Sequence, residues 1–399
     1  MQHIKGKHTY IRVMIDEIDD LTREQIQAFA DHPVFSGSKV RIMPDCHAGA
    51  GAVIGTTATM GDAIIPNMVG VDIGCGMLSV NIGRMDDIDF QALDEHIRRE
   101  VPMGFNHHQD HERIGRFGHS KTGFTLVEKF DWLLGNPQFQ SLSKLRGGIV
   151  LKESFPLSFG TLGGGNHFIE LGRDEKEDVW VTIHSGSRGF GHAIATWHQK
   201  KAKILMESVF LGDKYSRMEF LPAGFGMEDY LHDMKIAQDY AQLNRRIMMH
   251  KILHFWVQTG KTWDKLNAVE SVHNYIDFDD GIIRKGAIAA NEGQKVVIPF
   301  NMEDGLIIGE GLGNHDWNCS APHGAGRIGS RTWAKANLSL SDAKESMADK
   351  GIWTSSLNKN TLDEVKGAYK DKDAILAAIE PTVKVLRFVK PIYNLKSDA

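Results

Sequence analysis

Along the chain, apolar positions follow two different periods, and the switching between them predicts a mixed α/β protein. Stretches 10–14, 40–43, 179–183, 283–289, 295–299 and 391–396 are short and rich in branched apolar residues, as strands are. Residues 90–100 place apolar side chains at helical spacing instead, as do 191–208 and roughly 228–258. In the last of these, Leu231, Ala237, Tyr240, Ala241, Met248, Ile252 and Phe255 share the helical period, and the Met248-Met249 pair reads as core filling. A further helix is expected from about Thr22, with Thr22-x-x-Gln25 as a capping box and Pro33 past its end. From Ser330 onward the sequence reads as helices with charged faces. No internal repeat or low-complexity linker divides the chain, so residues 1–399 are expected to form one interwoven domain.

Composition narrows the setting. With 42% hydrophobic and 24% charged residues the chain is ordinary globular material, long enough for a sizeable core. A formal net charge of −5 excludes a surface coated in positive charge, although nucleic acid needs only a local basic groove. Three cysteines give no disulfide framework and suit a reducing cytoplasm. No apolar run reaches membrane-spanning length, so no membrane association is expected. Glycine (41) and histidine (19) are both plentiful, and they cluster together, which points to a polar site built on loops.

The strongest candidate chemistry lies in Gly70-Val71-Asp72-Ile73-Gly74-Cys75-Gly76. Its Val and Ile predict a buried strand end, and a carboxylate and a thiol pushed into such a place are costly unless a cation binds them. Asn166-His167, His184 and His273-Asn274 each add a histidine beside a polar or glycine-rich turn. Extended backbone after the Gly163-Gly164-Gly165 turn would point His167 and Ile169 to one face, and Asn166, Phe168 and Glu170 to the other. Asp45 and His47, in a glycine-spaced turn after the 40–43 strand, are read as groups that orient ligands rather than as ligands. The 106–111 histidine cluster lacks a spacing that would put its rings on one face, and reads as a solvated loop on the substrate side. Ser185-Gly186-Ser187-Arg188-Gly189 is good phosphate-binding material, a hydroxyl- and glycine-rich turn carrying a guanidinium.

Taken in order, the 70–76 segment, Asn166-His167-Phe168-Ile169-Glu170, His184-Ser185-Gly186-Ser187-Arg188-Gly189, His273-Asn274-Tyr275 and His323-Gly324-Ala325-Gly326-Arg327 resemble the RtcB family of RNA-splicing ligases, from about Met43 to Lys396. The resemblance implies that family's own mixed α/β fold and an enzyme that joins RNA 3′-phosphate or 2′,3′-cyclic phosphate ends to 5′-hydroxyl ends. It implies GTP, held as covalent GMP, and two Mn²⁺ ions. By the same resemblance Cys75 bridges the metals, Asp72 and His167 complete one site, and His184 and His273 complete the other. His323 becomes the guanylylated nucleophile. Glu170 and Lys396 contact guanine; Asn166, Asn274, Asn301 and Gly324-Ala325-Gly326 lie along the nucleotide; Arg188 and Arg327 take the RNA end. An archease-type activator is a further implied partner. Pro299-Phe300-Asn301-Met302-Glu303-Asp304-Gly305 departs from the family's serine-bearing turn, and Ser397-Asp398-Ala399 follow Lys396. The rival readings are a binuclear metal phosphoesterase acting on RNA phosphate ends without nucleotide, and a non-catalytic RNA-binding or metal-buffering protein.

Overall fold

A seven-stranded antiparallel sheet carries His184 and has His167 and His273 at the ends of two of its strands. Its strand order is Ala268–Val272, Gly76–Arg84, Asp178–Ser185, Phe168–Arg173, Val383–Lys396, Gly305–Gly311 and Lys295–Asn301. The computed structural model describes residues 1–110, 154–257 and 267–397. A six-stranded sheet built on Gln2–Lys5, Tyr10–Val13, Val40–His47, Ile54–Thr59, Ile282–Lys285 and Asn274–Ile276 lies in the same structure. The expected mixed α/β class is what forms.

Each sheet has its own core, and one long helix belongs to both. Tyr230, Met234, Ala237, Tyr240 and Ile247 of the Met227–Val257 helix pack with Ile11, Val40, Ile42 and Ala58 of the six-stranded sheet. From the next residue on, Met248, Met249, Ile252, Leu253 and Trp256 pack with Val80, Ile169, Val181 and Ile183 of the seven-stranded sheet. The helix is therefore apolar on more than one face, as a helix packed on several sides must be. Asn244 and Arg245, both without exposed surface, sit at the seam between the two cores.

Several element boundaries differ from the sequence reading. The first helix, Asp20–Ala30, is capped by Asp19, whose carboxylate accepts from the Thr22 N–H (2.9 Å) and hydroxyl (2.6 Å). Thr22 is thus inside the helix, and Gln25 bonds the Gly49 backbone instead of closing a capping box. The strand from Val40 runs on to His47 through a register shift, so Asp45 belongs to a strand and not to a turn. The 70–75 segment is no strand end: it is a turn between a short helix, Pro66–Val69, and the strand that starts at Gly76. The final strand begins at Val383, well before 391. His108 is buried, its Nε2 2.6 Å from Lys251 Nζ, which corrects the solvated-loop reading at that position; His111 lies outside the described residues.

Candidate active site

The sheet register brings the candidate ligands together. His184 lies opposite both Met77 and Phe168, and the backbone N–H of His273 donates to Cys75 O at 2.9 Å. Cys75 Sγ then stands 3.4 Å from His167 Nε2 and 3.2 Å from His184 Nε2. On one side His167 Nε2 meets Asp72 Oδ2 at 2.9 Å; on the other, His184 Nε2 meets His273 Nε2 at 3.3 Å. Gly186 allows this arrangement, because a Cβ there would collide with the Asp72 carboxylate.

The donor set fits a cation. His167 Nδ1 donates to Leu162 O (2.8 Å) and His184 Nδ1 to Asn166 O (3.0 Å), which turns both Nε2 lone pairs toward the thiol. Burial, reinforced by the neighbouring histidines, holds His184 and His273 well below the usual imidazole range, so both are neutral donors. Burial raises Asp72, but His167 and the Cys75 hydrogen bond outweigh it and hold the carboxyl at about 2. Burial, with Asp72 adding to it, pushes the Cys75 thiol well up. A thiol sulfur, two neutral imidazoles and a carboxylate crowded at these distances are relieved of their burial cost when a positive ion lies among them. Cys75, His167 and His184 in particular have ligand atoms all within 4.8 Å of one another. Such a mixed set of thiolate, imidazole and carboxylate suits several divalent transition metals, so the donors alone do not select one.

His184 and His273 also line a cavity of about 710 Å³ that holds most of the remaining candidates: Asn166, Phe168, Glu170, Asn274, Asn301, His323, Gly324, Ala325, Gly326, Arg327 and Lys396. Asn166, Phe168 and Glu170 thus share one side, as their alternation suggested. His323 arrives at the end of a two-stranded pairing of Ala287–Ala289 with Ser320–Pro322, and its ring centre is 4.8 Å from that of His273. Its Nδ1 donates to Asp45 Oδ2 at 2.7 Å, and the Asp45 side chain has no exposed surface. Gly326, at φ 75°, passes so close to the Asp45 backbone carbonyl that a side chain there would clash with it. The bond leaves His323 Nε2 as the nitrogen with a free lone pair.

At the far end of the cavity the balance of charge changes. Burial raises Glu170 to about 8, although Asn394, which donates at 2.9 Å, and Lys396 oppose the shift. Glu364 is equally buried, yet Lys396, Arg327 and Arg331 hold it at about 2. Lys396 Nζ is 3.2 Å from Glu364 Oε2, and Arg327 donates to Asp363 O (2.5 Å), Tyr369 Oη (3.2 Å) and Glu364. Asn301 caps its own turn, accepting from the Glu303 and Asp304 N–H groups. Arg188 is placed elsewhere: it begins the Arg188–Ser208 helix and donates to Thr161 Oγ1 (3.0 Å) and Gly104 O, outside the cavity lining.

Two supporting residues escaped the sequence reading. Arg245 Nη1 donates to Gly74 O (2.7 Å) and Ser185 O (2.9 Å), clamping both segments that carry metal-ligand candidates, while Glu270 balances its charge at 2.9 Å. Asn244 Nδ2 donates to Thr161 O, Ser185 Oγ and Gly186 O. Ser185 Oγ in turn donates to Leu162 O at 2.7 Å, the same carbonyl that fixes His167. The signal was weak, because Asn244 and Arg245 stand among other polar residues of the helix such as Gln242, Arg246 and His250.

Among known proteins, the family described as "tRNA-splicing ligase RtcB" matches residues 25–397. The chain is similar to the "RNA-splicing ligase RtcB" of Escherichia coli (strain K12), 32% identical over 94% of this chain and 93% of that protein. It is also similar to a "tRNA-splicing ligase RtcB" from Nanoarchaeum equitans, 28% identical over 84% of this chain and 83% of that protein. A third, from Aeropyrum pernix, is 28% identical over 87% and 85%. No helix among the described residues is long and apolar enough to cross a membrane.

Proposed function

The chain belongs to the RtcB family of tRNA-splicing ligases, and from that premise we propose that it joins RNA 3′-phosphate or 2′,3′-cyclic phosphate ends to 5′-hydroxyl ends through a guanylylated His323. Residues 1–399 act as one catalytic domain in tRNA splicing or RNA repair. The observation that carries the reading is the Asp45–His323 pair at 2.7 Å, opening into the same cavity as His184, His273 and Glu170.

With its Nδ1–H held by Asp45, His323 presents Nε2 to the α-phosphorus of GTP. An N–P bond forms, the bond to the β-phosphate oxygen breaks, and pyrophosphate leaves. Asp45 then balances the positive charge that develops on the ring. An oxygen of the RNA 3′-phosphate attacks the same phosphorus and releases His323; a cyclic end enters once water has opened it. The 5′-hydroxyl finally attacks the activated 3′-phosphorus and expels GMP, giving up its proton.

Cys75 would bridge two cations, with Asp72 and His167 on one and His184 and His273 on the other. Such cations, Mn²⁺ in this proposal, supply charge neutralisation to crowded phosphate oxygens. Glu170, protonated at neutral pH by its raised pKa, can both donate to and accept from a guanine edge, with Lys396 beside it. Asn166, Asn274, Asn301 and the Gly324-Ala325-Gly326 backbone follow the nucleotide. Arg327 from the cavity wall and Arg188 from beside Asp72 meet the RNA ends with the guanidinium N–H groups their present partners leave unused. The three cysteines are free, which fits the cytoplasm as the working compartment, and an archease-type activator is the proposed protein partner.

The test is incubation with GTP and Mn²⁺, with ATP as control, followed by intact mass and peptide mapping. An acid-labile guanylate on His323 that His323→Ala abolishes is the expected result. A guanylate on a lysine, or phosphate-ester hydrolysis with no adduct, would overturn the ligase mechanism in favour of a phosphoesterase.

A further inference from the structure

We propose that the exposed indole of Trp333, together with Ile328 and Leu21, is a stacking platform for a base of the 3′-phosphorylated RNA strand where that strand crosses the cavity rim. The inference deepens the ligase reading and rests on it.

The argument begins with size. At about 710 Å³ the cavity falls in the range that encloses a small molecule. A polynucleotide delivering its 3′ end to His323 must therefore continue outward over the rim. Asp19, Leu21, Ile328, Gly329, Ser330 and Arg331 are among the residues that line the cavity. Leu21 is 57% exposed and Ile328 56%. Trp333 is 40% exposed, the one tryptophan among the described residues that counts as an exposed large hydrophobic. A single exposed apolar side chain calls for no explanation, but two in the lining of one cavity and a third packed on the lining residue Gly329 do.

The indole is also held in place. Its ring carbons lie 2.8–3.3 Å from where a Cβ on Gly329 would stand, so it rests on the backbone of a residue that lines the cavity. Any side chain at position 329 would push it away. Ser330 Oγ accepts from the Trp333 backbone N–H at 3.0 Å and fixes the start of the Arg331–Asn337 helix that carries the ring. A pre-positioned aromatic face loses little freedom when a base settles on it.

Charge selects the occupant. Arg327, Arg331 and Lys396 pair with Glu364, and Arg327, Arg331 and Lys335 with Asp363; four cations against two carboxylates leave two positive charges in excess. The carboxylates are buried, whereas the Arg331 and Lys335 side chains are each 43% exposed, so solvent meets the positive side of the cluster. An aromatic face beside exposed cations is what single-stranded nucleic acid seeks, since any base offers a π face and each linkage a negative charge. A protein seated on the same rim would close the cavity against its own substrate.

The test measures ligation with a short 3′-phosphorylated oligoribonucleotide, intact or with one abasic site placed at each of its last positions in turn. Trp333→Ala should raise the KM for this strand by about 10-fold, the scale of one lost base-aromatic stack, while guanylate formation on His323 and the KM for the 5′-hydroxyl strand stay unchanged. Trp333→Phe should restore most of the loss. At one abasic position the wild-type protein should weaken while Trp333→Ala weakens no further. An unchanged KM in Trp333→Ala, or equal abasic losses in both proteins at every position, would overturn the platform. Failure of the wild-type protein to form any guanylate would instead defeat the ligase reading beneath it.

Discussion

Asp45→Asn is the sharpest perturbation of the proposed chemistry, because it keeps the shape of the side chain and removes its charge. Asp45 Oδ2 accepts from His323 Nδ1 at 2.7 Å inside a wall with no exposed surface at Asp45. The other oxygen, Oδ1, is buried with no partner among the described residues, so the carboxylate directs its charge at the imidazole. When Nε2 bonds to phosphorus the ring becomes cationic, and the carboxylate then stabilises the product of the step more than the free histidine. A hydrogen bond to a charged group is worth about 1.5–3 kcal/mol, which corresponds to roughly 10- to 150-fold in the rate of adduct formation. An asparagine amide can also donate to Nδ1, which would move the ring proton to Nε2 and block attack, so the loss should fall toward the upper end. The assay is a time course of guanylate accumulation by intact mass, run beside metal analysis. Metal content should stay at the wild-type level, because Asp45 is not among the candidate ligands. Adduct formation at the wild-type rate, or a loss of metal as large as that of Cys75→Ala, would refute the reasoning.

Cys75→Ala should lose both metal ions, whereas His273→Ala should keep one; elemental analysis of the folded variants decides, and full occupancy in Cys75→Ala would remove the bridging assignment. Glu170 has its folded-state pKa raised from 4.5 to about 8, so the folded protein holds the proton more tightly than the unfolded chain. Its stabilising contribution is complete below the ordinary carboxylate range and is lost as pH rises through about 8. Denaturation midpoints of the wild type should therefore fall over that window relative to Glu170→Gln, and parallel curves would count against a protonated Glu170. Arg245→Leu leaves Glu270 with Arg246 and Gln242 but uncouples the buried Gly74 and Ser185 carbonyls, which should cost about 1–3 kcal/mol in urea denaturation together with metal affinity; a stable, metal-replete variant would show that the clamp is dispensable.

What could be seen in the sequence was governed by how local the cause was. The Phe90–Glu100 helix and the Asp178–Ser185 strand that delivers His184 follow from short-range periodicity, and both form where expected. Asn166, Phe168 and Glu170 share the cavity because a strand alternates its faces, again a local rule. Asp45 was visible as an orienting group, but its partner lies 278 residues away and no spacing rule connects them. The Asn244-Arg245 pair was hidden because the Met227–Val257 helix carries many polar residues, and nothing local separates the two that turn inward from partly exposed ones such as Arg246. Much of the Val383–Lys396 strand escaped notice because Lys384, Arg387 and Lys390 interrupt its apolar run. The cap of the first helix went to Asp19 because an acceptor that takes both the N–H and the hydroxyl of Thr22 outcompetes a threonine acting alone.

The two ends of the cavity solve the same electrostatic problem by different means. At the Glu364 end, side-chain cations outnumber carboxylates, and the protein itself supplies positive charge for an anionic ligand. At the Cys75 end, burial keeps His184 and His273 neutral and Asp72 is anionic, so no side chain among those ligands can neutralise a phosphate. In the proposed reaction a nucleotide reaching from Lys396 to His323 brings its phosphates toward these neutral and anionic ligands. Binding there is unfavourable until cations occupy the donors, and cations are held more firmly once phosphate oxygens complete their surroundings. In the proposed reaction each ligand then raises the affinity of the other by the same factor, so nucleotide and metal would bind as one coupled event.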